Sequence, residues 1–152
     1  MRAPTDDATA FGVFNEIAII EHLSRTAAER VMPPGLSMAG FTVLNHMIRL
    51  RHERQAPAQI TSAVQVTRGA MTGTLKRLEA EGWIEVSPDE ADGRGKVVRV
   101  TPAGRAVREA TLVALTPVFD QLLSQIEPAE LVAILPTLQK MRRVLDAARD
   151  EG

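Results

Sequence analysis

A mainly α-helical fold with one small β-hairpin is what this sequence predicts, and three observations predict it. Apolar residues recur at helical spacing in successive stretches from near the start of the chain to its end. β-branched and aromatic residues make two short strand-like runs, at Trp83, Ile84 and Val86 and then at Val97, Val98 and Val100. Between them lies a polar segment, Asp89, Glu90, Asp92, Gly93, Arg94, Gly95 and Lys96, of loop composition. Two short helical stretches precede this hairpin, the second with a polar outward face, which is the helix-turn-helix pattern. A hairpin after such a helix, with a long charged tip, has the shape of a winged helix. The expected division sets residues 36–101 apart as a winged-helix lobe. Residues 10–32 together with 102–149 form a helical dimerisation region.

Taken in order, residues 1–9 read as a frayed terminus. From about Phe11 to Val31, the residues Phe14, Ile17, Ala18, Ile20, Leu23 and Ala27 fall mostly on one broad helical face, and Pro33-Pro34-Gly35 ends the helix. Ser37 caps the second helix, whose stripe is Phe41, Leu44 and Ile48 with Val43 and Met47. It fades into the charged residues 49–54 before Pro57. Residues 58–65 form a short helix with Ile60 and Val64, four apart, facing inward.

Thr67 caps the next helix, and Ala70, Met71, Leu75 and Leu78 form its apolar stripe. Gly82 takes the left-handed turn that ends it. The first strand stops at Pro88, and Thr101-Pro102 opens a further helix as cap residue and first helical proline. That helix runs through Val107, Leu112, Leu115, Val118, Leu122 and Leu123, with Pro117 inside it expected to kink or break it. Glu127-Pro128 starts the last helix, carrying Leu131, Ile134, Leu135, Leu138, Met141 and Leu145, with Pro136 as a second expected kink.

The polar face of the Thr67 helix carries Arg68, Gly69, Thr72, Gly73 and Lys76. A solvated face more often carries Glu–Lys pairs. Gly73 inside a helix costs roughly 1 kcal/mol relative to Ala. Close approach of the helix backbone to another large surface explains that cost; a DNA groove or a neighbouring helix would both serve.

Composition removes several function classes. Among 152 residues there is no Cys, which excludes a disulfide scaffold, thiolate catalysis and thiol redox sensing. No apolar run reaches membrane-spanning length, and the N-terminus lacks the basic start and apolar core of a secretory signal, so the expected compartment is the cytoplasm. The histidines, 22, 46 and 52, lack metal-ligand spacing, and no metal or other cofactor is expected. There is no phosphate-cradling Gly loop, nucleophile elbow or HExxH, so the chain does not read as an enzyme. Gly93-Arg94-Gly95 is a turn that no helix follows. Net charge is −1, but residues 41–108 hold eleven Lys and Arg against seven Asp and Glu. The middle is basic and both ends are acidic, which orients a molecule on a polyanion.

The terminal helices are strongly apolar on at least one face, and a lobe of about 65 residues can bury little of that surface. They therefore pack on one another, as an intertwined two-fold dimer or as a monomeric helical cap; apolar patches this long favour the dimer.

At three places the chain resembles the multiple-antibiotic-resistance regulator (MarR) family of bacterial winged-helix transcription factors. Leu36-Ser37 followed by Phe41, Val43 and Leu44 is similar to that family's second-helix opening. Thr67 to Trp83, with Leu78-Glu79 before Gly82, resembles its recognition helix and exit. Asp89-Glu90-Ala91-Asp92-Gly93-Arg94, then Val98, Val100 and Thr101-Pro102 with Gly104, resembles its wing signature. The likeness covers roughly residues 11 to 148. It implies that Asp92 holds Arg94 in place and that Arg94 enters the minor groove, where the negative potential favours a cation. Thr67 would cap a helix whose Arg68, Gly69, Thr72 and Gly73 face the major groove, with Lys76 or Arg77 at phosphates. Arg77 could equally be a structural ion pair. Lys96 and Arg99 could be phosphate contacts or solvated wing charge. The chain departs from the family at Gln65, where a turn glycine is common, and at Gly73 and Gly93, where basic residues are frequent. Two missing charges would weaken phosphate binding and leave it strongly salt-dependent.

The resemblance also implies a small aromatic or anionic effector bound between the dimer helices and the lobe. His22, Arg25, Asn45, His46 and Arg49 would border such a cleft, with ordinary surface or core roles as the alternative. The sequence thus reads as a homodimeric, ligand-responsive, double-stranded-DNA-binding repressor, with half-sites about 34–36 Å apart. The rival reading is a winged helix used for protein–protein contact, which needs neither a basic outward helix face nor an arginine at the wing tip.

Overall fold

The structure, a computed structural model, describes residues 4–64 and 66–150. They fall into two compact units, divided between Leu115 and Thr116. Described in chain order, the elements are α1 (Pro4–Glu29), α2 (Met38–Arg49), α3 (Pro57–Val64), α4 (Arg68–Ala80), β1 (Ile84–Pro88), β2 (Lys96–Val100), α5 (Pro102–Leu123) and α6 (Pro128–Asp150). The mainly helical fold with one hairpin is as the sequence predicts. None of the helices is long and apolar enough to cross a membrane among the described residues.

In the first unit, the core is built where α2, α3, α4 and the hairpin meet. Val43, Leu44 and Met47 come from α2, Ile60 from α3, Met71, Leu75 and Leu78 from α4, and Ile84 and Val98 from the strands. Leu44, Met47, Ile60 and Val98 are wholly buried. At about 25 cal/mol per Å² of apolar surface removed from water, these side chains fix how α4 sits against the hairpin. Ser37 caps α2 as expected, its Oγ accepting from the Gly40 N–H at 3.1 Å. Gly82 adopts φ +76°, the left-handed conformation that ends α4.

β1 and β2 are antiparallel, with Ile84 opposite Val100 and Val86 opposite Val98. The sheet extends by one further residue on the far side of β2. Gln55 donates to the Val98 carbonyl at 3.2 Å and accepts from the Val98 N–H at 2.8 Å. No alternating pattern around Gln55 signals this bridge in the sequence.

The start of α5 is locked to the hairpin. Thr101 Oγ1 donates to the Gly82 carbonyl at 2.6 Å and accepts from the Gly104 N–H at 3.0 Å, while the Thr101 N–H donates to the Trp83 carbonyl at 3.1 Å. A single threonine thus caps α5 and ties it to the exit of α4.

Two expectations need correction, and a third is narrowed. The first helix begins at Pro4 rather than near Phe11, with Asp6 and Asp7 in its first turn, where the helix dipole favours acidic side chains. Residues 1–3 of the expected frayed segment lie outside the described residues, as does Gln65 and with it the width of the helix-turn-helix corner. In α4 the buried stripe is Met71, Thr74, Leu75 and Leu78, while Ala70 is exposed. Apolarity pointed to Ala70, but the 3.6-residue period places position 74 between Met71 and Leu78. Of the kink or break expected at Pro117, the break is not formed, since α5 continues through it; α6 likewise continues through Pro136. Each proline removes one backbone bond to the residue four before, Val113 and Val132, which are 73% and 71% exposed. Water can serve carbonyls on such a face.

Outside the lobe, apolar side chains stand open. On α1, Phe11, Ile20 and Leu23 are 78%, 59% and 61% exposed. In the second unit, Val132, Ile134, Leu135, Val144 and Leu145 of α6 are all exposed too.

Candidate nucleic-acid interface

The site begins at Thr67. Its extended backbone and its Oγ1, accepting from the Ala70 N–H at 3.1 Å, start α4 at Arg68. With the core stripe turned inward, Arg68, Gly69, Thr72, Lys76 and Arg77 are left exposed and Gly73 half-exposed. Thr72 Oγ1 donates to the Arg68 carbonyl at 2.9 Å. A Cβ at Gly69 would meet nothing within 4 Å, and one at Gly73 would meet only the Arg77 guanidinium, at 3.8 Å. No helix of the described residues therefore requires these glycines by close approach. The neighbouring-helix explanation falls away within the chain, and the small-surfaced face is open.

The wing loop is shaped by its own aspartates. Asp89 Oδ1 accepts from the Ala91 N–H at 3.1 Å, and Asp92 Oδ1 accepts from the Arg94 N–H at 3.3 Å. The Asp89 N–H closes the loop on the Gly95 carbonyl at 2.9 Å, and Arg54 approaches Asp89 at 3.6 Å from the α2–α3 segment. The resemblance implied that Asp92 grips the Arg94 guanidinium. Here it holds the Arg94 backbone instead, and the guanidinium is left exposed with no ion pair among the described residues.

Arg68, Lys76, Arg77, Arg94, Lys96 and Arg99 are all exposed and make no ion pair among the described residues. The structural ion pair considered for Arg77 is not formed. Lys76 and Lys96 converge across a depression of about 320 Å³ between α4 and the hairpin, which Thr72 also lines. A second, of about 340 Å³, is lined by Arg94 and Lys96. Glu79 borders both, the one carboxylate among these cations. Sequence reasoning names Glu79 only in the Leu78-Glu79 exit of the helix and gives it no role at the site, although its spacing of three from Lys76 and seven from Thr72 places it on the same face.

The five effector candidates do not converge. Arg25 lines a cavity of about 380 Å³ with Glu29, Val43, Met71, Thr74 and Arg77, walled mainly by apolar atoms. Its Nε is paired to Glu21 at 2.9 Å. His22 is exposed one helical turn before Thr26, whose hydroxyl it receives on its carbonyl. Asn45 is committed to Arg108, whose Nε and Nη2 both donate to Asn45 Oδ1, at 3.2 and 2.9 Å. His46 is hydrogen-bonded to Gln55 at 3.1 Å and lies 5.4 Å from the His52 ring. Burial holds the His46 pKa below the ordinary 6.5, helped by the nearby His52 and Arg49 and opposed by the Gln55 hydrogen bond. Arg49 is exposed at the end of α2. No group of three or more potential metal ligands is assembled among the described residues.

Residues 47–96, the segment holding α4 and the hairpin, match the model of the MarR family. The HTH-type transcriptional repressor NicR of Pseudomonas putida is 28% identical over 148 residues, covering 91% of this chain and 89% of its own. The multiple antibiotic resistance protein MarR of Escherichia coli is 28% identical over 134 residues, covering 84% and 93%. Among solved structures, Bordetella bronchiseptica BpsR, described for regulation of its DNA binding by 6-hydroxynicotinic acid, superposes with a TM-score of 0.75 at 26% identity. It covers 86% of this chain and 98% of BpsR. A mutant of the E. coli MarR protein complexed with operator DNA gives 0.77 at 22% identity, covering 92% and 99%, and so shares the fold.

Proposed function

We propose that the chain is a winged-helix transcriptional regulator of the MarR kind, which binds specific double-stranded DNA as a homodimer, represses transcription there and is released by a small ligand. The observation that carries this reading is the paired presentation of cations. An open, glycine-containing face of α4 stands beside a wing whose arginine is free, with Lys76 and Lys96 between them. A major groove admits such a helix, and a narrow minor groove attracts such an arginine. Thr67, Arg68, Gly69, Thr72 and Gly73 face the major groove in this reading, Lys76, Arg77 and Lys96 meet phosphates, and Asp92 shapes the loop that carries Arg94. A winged helix serving protein contact would have no use for the exposed, unpaired Lys76, Arg94 and Lys96 around these depressions.

Dimer formation is supported by the open apolar side chains of α1 and α6, which water would otherwise cover at a cost of about 25 cal/mol per Å². In this reading the winged-helix lobe spans residues 36–101, and residues 10–32 and 102–149 make the dimer. Release by a small aromatic acid is supported by the apolar cavity that Arg25 and Arg77 border. Relatives of this fold point the same way: BpsR is described with 6-hydroxynicotinic acid and an organohalide-sensing regulator with 2,4-dichlorophenol. Selection of bound fragments from random duplex DNA, followed by a screen of small aromatic acids for release, tests the whole. Recovery of one palindromic motif is expected; recovery of no enriched sequence contradicts it.

A further inference from the structure

Val86 sits opposite Val98, and Val98 gives both its backbone groups to Gln55. In an antiparallel pair, residues facing each other alternate between bonded and non-bonded pairs. Val86 therefore belongs to a non-bonded pair, and its N–H points off the open edge of β1. There Glu79 Oε2 accepts it, at 3.1 Å. Glu79 lies on α4, on the face that carries Thr72 and Lys76, and it borders both depressions between that helix and the wing. Its carboxylate makes no ion pair among the described residues. An unneutralised anion beside Lys76, Lys96 and Arg94 repels phosphate. Its hydrogen bond, charge-assisted and spanning two elements, is what it returns.

We propose that Glu79 is the positioning residue that sets the wing against α4, at the expense of phosphate attraction. The inference rests on the DNA-binding reading above. Through Val86 it fixes the root of the loop that presents Arg94, so that helix and wing meet two grooves in one spacing. Its two effects are separable by chemistry. Glu79→Gln removes the charge and keeps an acceptor; Glu79→Ala removes both; Glu79→Asp keeps the charge and shortens the reach by one methylene.

The test measures each variant of the 152-residue chain on a duplex selected from random DNA by the unaltered protein. Glu79→Gln binds at least as tightly as the unaltered protein, and Glu79→Ala binds about tenfold more weakly than Glu79→Gln. Glu79→Asp also binds more weakly than the unaltered protein, which keeps the proposal testable if the alanine variant does not fold. The Val86 amide exchanges faster in the Ala and Asp variants and unchanged in Gln. In an Arg94→Ala background the Gln–Ala difference disappears, because the group being positioned is gone. Equal affinity of the Ala and Gln variants overturns the proposal, as does a difference that persists undiminished without Arg94. If the unaltered protein binds no duplex, the DNA reading itself fails. Val86 exchange then still reports whether Glu79 holds β1.

Discussion

Asp92 holds Arg94 by its main chain: Oδ1 receives the Arg94 N–H at 3.3 Å, and the guanidinium is left to whatever the wing meets. The pair therefore divides its work. Asp92 fixes the loop, and Arg94 carries the charge. Arg94→Ala should weaken duplex binding by about tenfold or more while leaving the melting temperature unchanged, since the side chain is exposed and makes no ion pair among the described residues. Asp92→Asn, which keeps the oxygen acceptor, should bind more tightly than Asp92→Ala. Gel shifts and melting curves on the same preparations decide both, and an Arg94→Ala protein of undiminished affinity contradicts the wing assignment.

Among the described glycines, Gly104 has the closest neighbours. A Cβ there would stand 2.0 Å from the Trp83 carbonyl oxygen and 2.9 Å from Val100 Cγ1. The obstacle is backbone, which cannot rotate away. Gly104→Ala should destabilise the protein by about 1–3 kcal/mol or more, read as a lower urea midpoint. This contact gives the Thr-Pro-x-Gly run its physical meaning: the cap, the helical proline and the missing side chain let α5 start directly on the exit of α4.

Gly73 offers the opposite case. An added methyl would meet only the mobile end of Arg77, at 3.8 Å. Gly73→Ala should therefore raise stability by about 0.5–1 kcal/mol through helix propensity. On the proposed reading it should also weaken DNA binding several-fold, because the methyl enters the groove-facing surface. Chemical denaturation and fluorescence anisotropy on one variant separate these effects. Increased stability with unchanged DNA affinity would remove Gly73 from the interface.

His46 gives the lobe a pH dependence of definite sign. Its pKa lies below 6.5 in the folded chain because burial disfavours the cation. The unfolded chain therefore binds the proton more readily. The stability owed to neutral His46 is present above the unfolded value and is lost as pH falls through the lowered one. Urea midpoints measured from pH 7.5 downward should drop across that window, and His46→Gln should flatten the change. An unaltered slope in that variant would assign the effect to other groups.

How much of this was legible beforehand differs by kind of interaction. Local rules worked: Ser37, Thr67 and Thr101 cap helices because each offers a side-chain oxygen to an N–H three residues on. Gly82 turned where an apolar period stopped. Long-range pairing was not legible. Asn45 looked like a free polar group lining a cleft until Arg108, sixty-three residues away, proved to hold it. Gln55 carried no strand pattern, because a single bridge to Val98 needs none. Thr74 was passed over because a hydroxyl disguises a position that the period alone makes internal. Arg25 was singled out as a cleft residue and does line one, but its cavity partner Arg77 comes from α4, which only folding brings near.

The central claim is that α4 and the wing jointly meet duplex phosphates and grooves. Titration of the selected duplex with purified protein, at salt from about 50 to 200 mM, tests it most directly. The account predicts a dimer whose log affinity falls linearly with log salt, with a slope shallower by about one for each of Lys76→Ala and Lys96→Ala. A protein that ignores duplexes at the lowest salt, or binds them with no salt dependence, contradicts it.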